Sequence, residues 1–92
     1  MELVTIIMPY YRKIDYVSRT IKSIINQTHQ NYELLIIYDD PKQDDLKELT
    51  RIIKDDKKIK IIKNDRNLGA GYSRNIGIKN SKGQIISFID AD

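Results

Sequence analysis

Cysteine and tryptophan are absent from this sequence, proline occurs twice and histidine once. Without thiols there is no disulfide and no thiolate metal site, and His29 alone cannot build an imidazole site. Any metal must therefore be held by oxygen. No apolar run approaches the roughly 20 residues of a membrane span. The N-terminal stretch MELVTIIMPYY carries an acid and a proline where a secretory signal needs basic residues and an unbroken apolar core. A cytoplasmic location is the resulting expectation. A one-signed charge is lacking too: 16 Lys and Arg stand against 13 Asp and Glu, for a net charge of +3. The two signs interleave, as in KDDKKIKIIKND, which marks a solvated face and no nucleic-acid partner. What is present is 40% hydrophobic and 32% charged residues over a chain of 92. That composition is too apolar for disorder and long enough for one small domain.

Apolar periodicity predicts alternating strands and helices. Leu3 to Met8 is a β-branched run, closed by Pro9, of the kind that forms a strand buried on both faces. From Asp15 to about Asn26, Val17, Ile21, Ile24 and Ile25 recur at helical spacing, with Asp15 or Ser18 as candidate caps. Leu34 to Tyr38 reads as a second strand ending on Asp39-Asp40-Pro41. A second helix follows Asp44 and Asp45, with Leu46, Leu49, Ile52 and Ile53 as its buried stripe. Ile59, Ile61 and Ile62, interleaved with lysine, suit a strand near an edge. Gly69 and Gly71 open a helix around Tyr72 to Lys79, and Gly83 turns the chain into a last strand, Gln84 to Ile89. The order βαβαβαβ implies an α/β fold: an open, mostly parallel sheet with helices on both faces, Rossmann-like in type.

In such sheets ligands bind beyond the carboxyl ends of the strands. Three polar clusters fall there: Pro9-Tyr10-Tyr11-Arg12, Asp39-Asp40 and Asp90-Ala91-Asp92. Asp90 and Asp92 leave an extended strand on the same side. Two carboxylates with no imidazole or thiolate suit Mg²⁺ or Mn²⁺, whose shell substrate phosphates complete. On the acids alone, decoration of a strand exit is the more ordinary reading. Asp39-Asp40-Pro41 is common turn chemistry, yet a carboxylate there can accept from a ring N–H or a ribose hydroxyl. The Pro9-Tyr10-Tyr11 stretch offers aromatic faces at the mouth of the first strand, one of which can lie near a base, or half-buried rim residues. The segment NLGAGYSRN and the residue before it bring backbone N–H groups and two candidate guanidinium groups, Arg66 and Arg74, to a helix start, where a diphosphate can bind. It is neither a P-loop nor the dinucleotide fingerprint.

Taken in order, these pieces resemble the nucleotide-binding half of the inverting family 2 glycosyltransferases, which have the GT-A fold. The matching stretches are Pro9-Tyr10-Tyr11, Gln27-Thr28, Asp39-Asp40 with Asp44, Asn67-Leu68-Gly69, Arg74-Asn75-Ile76-Gly77 and Asp90-Ala91-Asp92. Arg12 stands where the family usually has Asn, Pro41-Lys42 replaces Gly-Ser, and Ser73 replaces Ala. The resemblance implies a donor subdomain over residues 1–92, transferring sugar from a nucleoside-diphosphate sugar, commonly UDP-linked, to an acceptor hydroxyl in cell-surface polysaccharide synthesis. By resemblance, Tyr11 and Asp40 contact the base, Pro9 contributes backbone, and Asp39 supports the strand end. Arg74 holds the nucleotide, Asp90 approaches the ribose, and Asp92 meets a Mg²⁺ or Mn²⁺ ion on the diphosphate. The base and the acceptor saccharide or lipid-linked glycan are expected in a half beyond residue 92, and no residue here is assigned to catalysis. Two alternatives stand beside this: a stand-alone nucleotide or metal-binding module, and a receiver-like signalling domain. A sheet of this size leaves apolar surface uncovered, so self-association is also expected.

Overall fold

The computed structural model describes residues 2–92. Strand and helix alternate along it: β1 (Val4–Tyr10), α1 (Ile14–Ile25), β2 (Tyr32–Tyr38), α2 (Leu46–Ile53), β3 (Ile59–Lys63), α3 (Ala70–Asn80) and β4 (Ile85–Phe88). All pairings are parallel, in the order β3-β2-β1-β4. The chain builds outward from β1 to β3 and then crosses over to place β4 on the free side of β1. The switch point of the sheet therefore lies between β1 and β4. A receiver-type sheet puts its third strand next to its first, so this order excludes the receiver-like alternative.

Period-2 alternation in β1 and β2 divides the core between two faces. Ile6, Met8, Tyr10, Leu34, Ile36 and Tyr38 pack with Val17, Ile21 and Ile24 of α1 and Leu49 of α2. Ile7, Leu35 and Ile37 face the other way, with Ile62 of β3 and Ile76 of α3 against them. Both faces are thus covered over β1 and β2, as their continuous apolar runs require. The third helix lies close because Gly77 has no side chain. A Cβ there would stand 2.5 Å from Cγ2 of Ile7.

Three local expectations are corrected. Strand β1 continues through Pro9 to Tyr10 rather than closing at the proline. The carbonyl of Tyr10 accepts from Asp39 on the β2 side, whereas that of Ile7 accepts from Ile89 on the β4 side. By alternation the missing N–H of Pro9 faces β4, whose last ladder bond is already made, so the ring interrupts nothing. Helix α1 starts at Ile14 after Lys13, with no side-chain cap from Asp15 or Ser18. Asp15 lies instead in the first turn, where its charge suits the helix dipole. Helix α3 begins at Ala70, directly after Gly69, whose φ of 92° only glycine adopts without strain.

Candidate functional site

Asp39, at the carboxyl end of β2, is buried and organises the loop ahead of α3. Its Oδ1 accepts from Leu68 N at 2.7 Å and Asn64 Nδ2 at 2.9 Å. Its Oδ2 accepts from Gly69 N at 2.9 Å and Asn67 Nδ2 at 3.0 Å. Asn67 also donates to the Asp39 carbonyl, and Asn64 donates to Ser73 Oγ on α3. Two backbone N–H groups and two amides thus converge on one carboxylate, which a buried anion needs to be tolerated. Through these bonds Asp39 fastens the end of β2 to the loop ahead of α3, the helix that carries Arg74.

A second tie runs through aromatic rings. Tyr10 and Tyr38 stack at 5.6 Å between centroids, nearly parallel. The Tyr10 hydroxyl donates to Asp45 Oδ2 at 2.7 Å, and Tyr38 donates to the carbonyl of Lys42 at 2.8 Å. Burial, reinforced by the hydrogen bond to Asp45, pushes the Tyr10 phenol far up. It remains protonated and acts as a fixed donor.

Asp40 points away from Asp39. Arg12 Nε donates to its Oδ2 at 2.9 Å and Arg12 Nη2 to its Oδ1 at 3.4 Å, while Lys42 N adds a bond of 3.0 Å to Oδ1. The Arg12 hydrogen bond, opposed by desolvation and aided by the Lys42 amide, holds the Asp40 carboxyl below the usual carboxylate range. The guanidinium carbon of Arg12 also sits 4.8 Å from the centroid of the Tyr11 ring, within cation–π reach.

A cleft of about 210 Å³ opens at the switch point, lined by Pro9, Tyr11, Lys13, Asp39, Arg74, Asp90 and Asp92 together with Tyr10, Ala70 and Ala91. Of the residues singled out from sequence, it gathers Pro9, Tyr11, Asp39, Arg74, Asp90 and Asp92. Asp40 lines a neighbouring hollow with Arg12, Ile14, Lys42, Asp44 and Asp45. Ala91 is buried between the exposed Asp90 and Asp92, and its carbonyl accepts from Thr20 Oγ1 of α1 at 3.1 Å. This bond fixes the acidic segment against α1. Lys13 Nζ lies 3.4 Å from Asp92 Oδ2, with both side chains about half exposed. Sequence reading passed over Lys13, because one lysine among many carries no signal until the turn after β1 aims it at Asp92.

The donor chemistry of the cleft fits a hard divalent cation only in part. Among the described residues no group of three His, Cys, Asp or Glu side chains is placed to hold a metal. Asp92 offers a carboxylate that its exposed partner Lys13 holds only weakly. One or two carboxylates suffice for Mg²⁺ or Mn²⁺ where phosphate oxygens and water complete the shell.

Comparison with known proteins agrees with this geometry. The family described as glycosyl transferase family 2 matches residues 5–92. An uncharacterized glycosyltransferase of Rickettsia conorii is 46% identical over 89 residues, 97% of this chain and 14% of that protein. A UDP-Glc:α-D-GlcNAc-diphosphoundecaprenol β-1,3-glucosyltransferase of Escherichia coli is 41% identical over 92 residues, all of this chain and 36% of that protein. The chain thus spans well under half the length of these relatives. In fold it is similar to a mannosyltransferase from Pyrobaculum calidifontis solved with GDP-Man and Mn²⁺, with a TM-score of 0.88 at 17% identity over 97% of this chain and 27% of that one. The parallel sheet, the cleft at its switch point and the match across nearly every residue have one meaning: this chain belongs to glycosyltransferase family 2.

Proposed function

We propose that the chain forms the donor-binding part of a glycosyltransferase that moves a sugar from a nucleoside-diphosphate sugar to an acceptor hydroxyl with inversion. The observation that carries this reading is the cleft between the ends of β1 and β4, where two tyrosines, two cations and three carboxylates converge. Most of these groups have a matching part of such a donor. Tyr11 offers a face to the base, and the backbone at Pro9 forms the floor beside it. Lys13 and Arg74 meet the diphosphate, Arg74 from the second turn of α3. Asp90 accepts from ribose hydroxyls. Asp92 is the residue that would hold Mg²⁺ or Mn²⁺, exchanging Lys13 for the ion. When bound, such an ion stabilises the negative charge that develops on the departing diphosphate. Asp39 acts at one remove, by holding the loop ahead of α3, the helix that carries Arg74. For the acceptor we propose a saccharide or lipid-linked glycan, a reading supported by family membership and by the acceptor named for the Escherichia coli relative. We assign no residue of this chain to the base. Self-association through the exposed β4 edge belongs to the same proposal, because Ile85, Ile86 and Phe88 are all exposed there.

Calorimetric titration with UDP, GDP and CDP, with and without Mn²⁺, tests the reading. Binding of at least one nucleotide should strengthen with Mn²⁺, and Asp92→Ala should abolish that dependence. The fold should survive, since an exposed pair such as Lys13 with Asp92 contributes at most about 1 kcal/mol. Binding unchanged in both Asp92→Ala and Arg74→Ala would sink the assignment.

A further inference from the structure

Arg12 is the one residue near the cleft held in a backbone conformation it does not favour. Its φ is 51°, in the left-handed region that costs a non-glycine residue about 1 kcal/mol or more and that Asn tolerates better than Arg. Such an outlier persists where the side chain does something the backbone alone does not require. Here the side chain does two things. It closes on the nearly buried carboxylate of Asp40, and it lies over the ring of Tyr11, a wall of the cleft. Asp40 is 4% exposed, whereas the arginine is 47% exposed. A ligand approaching this corner therefore meets the guanidinium, and the carboxylate lies behind it.

That exchange reverses the hydrogen-bonding character of the corner. A carboxylate is acceptor-only and a guanidinium donor-only. The two bonds to Asp40 use two of the five N–H groups, and the remainder of the fork belongs to the exposed side. A planar donor fork pairs with two adjacent acceptors. Guanine offers O6 and N7, the commonest partner of arginine among base edges. Cytosine offers O2 and N3. Uracil puts an N–H donor between its carbonyls, which a free carboxylate would accept but which faces donors here.

We infer that Arg12 selects the nucleobase of the donor, favouring a base with two adjacent acceptors, guanine or cytosine, over uracil. The inference rests on the cleft being a nucleotide site and adds which nucleotide it takes.

The test is titration of the chain with GDP, CDP and UDP in the presence of Mn²⁺, repeated with Arg12→Asn and Arg12→Lys. Arg12→Asn suits the left-handed backbone, and circular dichroism confirms its fold. With the native chain, GDP or CDP should bind at least about fivefold more tightly than UDP, the discrimination of one good bidentate contact. Whichever of the two is tighter identifies the base. Arg12→Asn should reduce or reverse that ratio by releasing Asp40 to accept from uracil. Arg12→Lys should reduce it as well, because an ammonium keeps the charge and loses the fork. UDP as the tightest ligand of the native chain, or a ratio unchanged in Arg12→Asn, overturns the inference and leaves the donor site standing. Failure of all three nucleotides to bind overturns both.

Discussion

Two adjacent aspartates at the end of β2 have separate tasks, and the difference is set by what surrounds each carboxylate. Asp39 is enclosed by N–H donors from Leu68, Gly69, Asn64 and Asn67. Removing it leaves those donors short of a partner in a buried place, at about 1–3 kcal/mol for each group that water cannot reach. Asp39→Ala should therefore lower stability by about 3 kcal/mol in urea denaturation and weaken nucleotide binding through the loosened loop. Asp92→Ala should weaken binding at almost no cost in stability. Asp40 adds a dependence on pH. Its folded-state pKa is depressed, chiefly by the Arg12 hydrogen bond, so its contribution is complete above the unfolded value of about 4. That contribution is lost as pH falls through the depressed folded value. The stability gap between the native chain and Asp40→Asn should be constant from pH 7 to about 5 and close in stronger acid, as followed by urea midpoints across pH. Little of this division was legible in the sequence. Asp-Asp-Pro reads as a turn either way, and only the fold brings Asn64 and Asn67 to one aspartate and Arg12 to the next.

At the scale of elements, the sequence was legible wherever an apolar stripe repeats with a single period. Val17, Ile21 and Ile24 announced α1, and Leu34 to Tyr38 announced β2, because burial on one stripe or on both strand faces leaves a direct mark. Helix α3 is different. Its buried positions are Ser73 and Gly77, small residues that give no hydrophobic stripe, so its face toward the sheet is invisible to periodicity. Its packing depends on closeness: Gly77 lies against Ile7, so any side chain there meets Cγ1, Cγ2 and Cδ1 of that isoleucine. Gly77→Ala should destabilise by about 1–3 kcal/mol, despite the better helix propensity of alanine. Because the clash is with one side chain, Gly77→Ala should cost much less when introduced into Ile7→Ala, which removes all three atoms. A double-mutant cycle by thermal or urea unfolding measures this coupling. Equal costs in the two backgrounds would mean that the helix moves as a whole rather than pressing on Ile7.

Taken as a whole, the molecule protects its two sheet edges unequally. The β3 edge alternates Ile59, Ile61 and Ile62 with Lys60 and Lys63, and charge on an edge strand resists pairing with another chain. The β4 edge reads Ile85-Ile86-Ser87-Phe88, with no charge, no proline and every residue exposed. Register explains why both of its faces are open. Ile85 stands beside Val4 and Phe88 beside Ile7, so its apolar residues continue both core layers past the reach of the helices. Water-exposed apolar surface joined to unpaired backbone groups favours addition of a further strand. A second copy meeting this edge through a two-fold axis would pair β4 with β4 and bury the same residues from both sides. The mass seen by light scattering should then rise above 10.8 kDa with concentration. Ile86→Lys places a charge on the open edge at a distance from the cleft lining, so it should restore the monomer mass and leave nucleotide binding intact. A monomer at every concentration would show that backbone exposure on β4 is too short to hold a partner, four residues being near the lower limit for a strand.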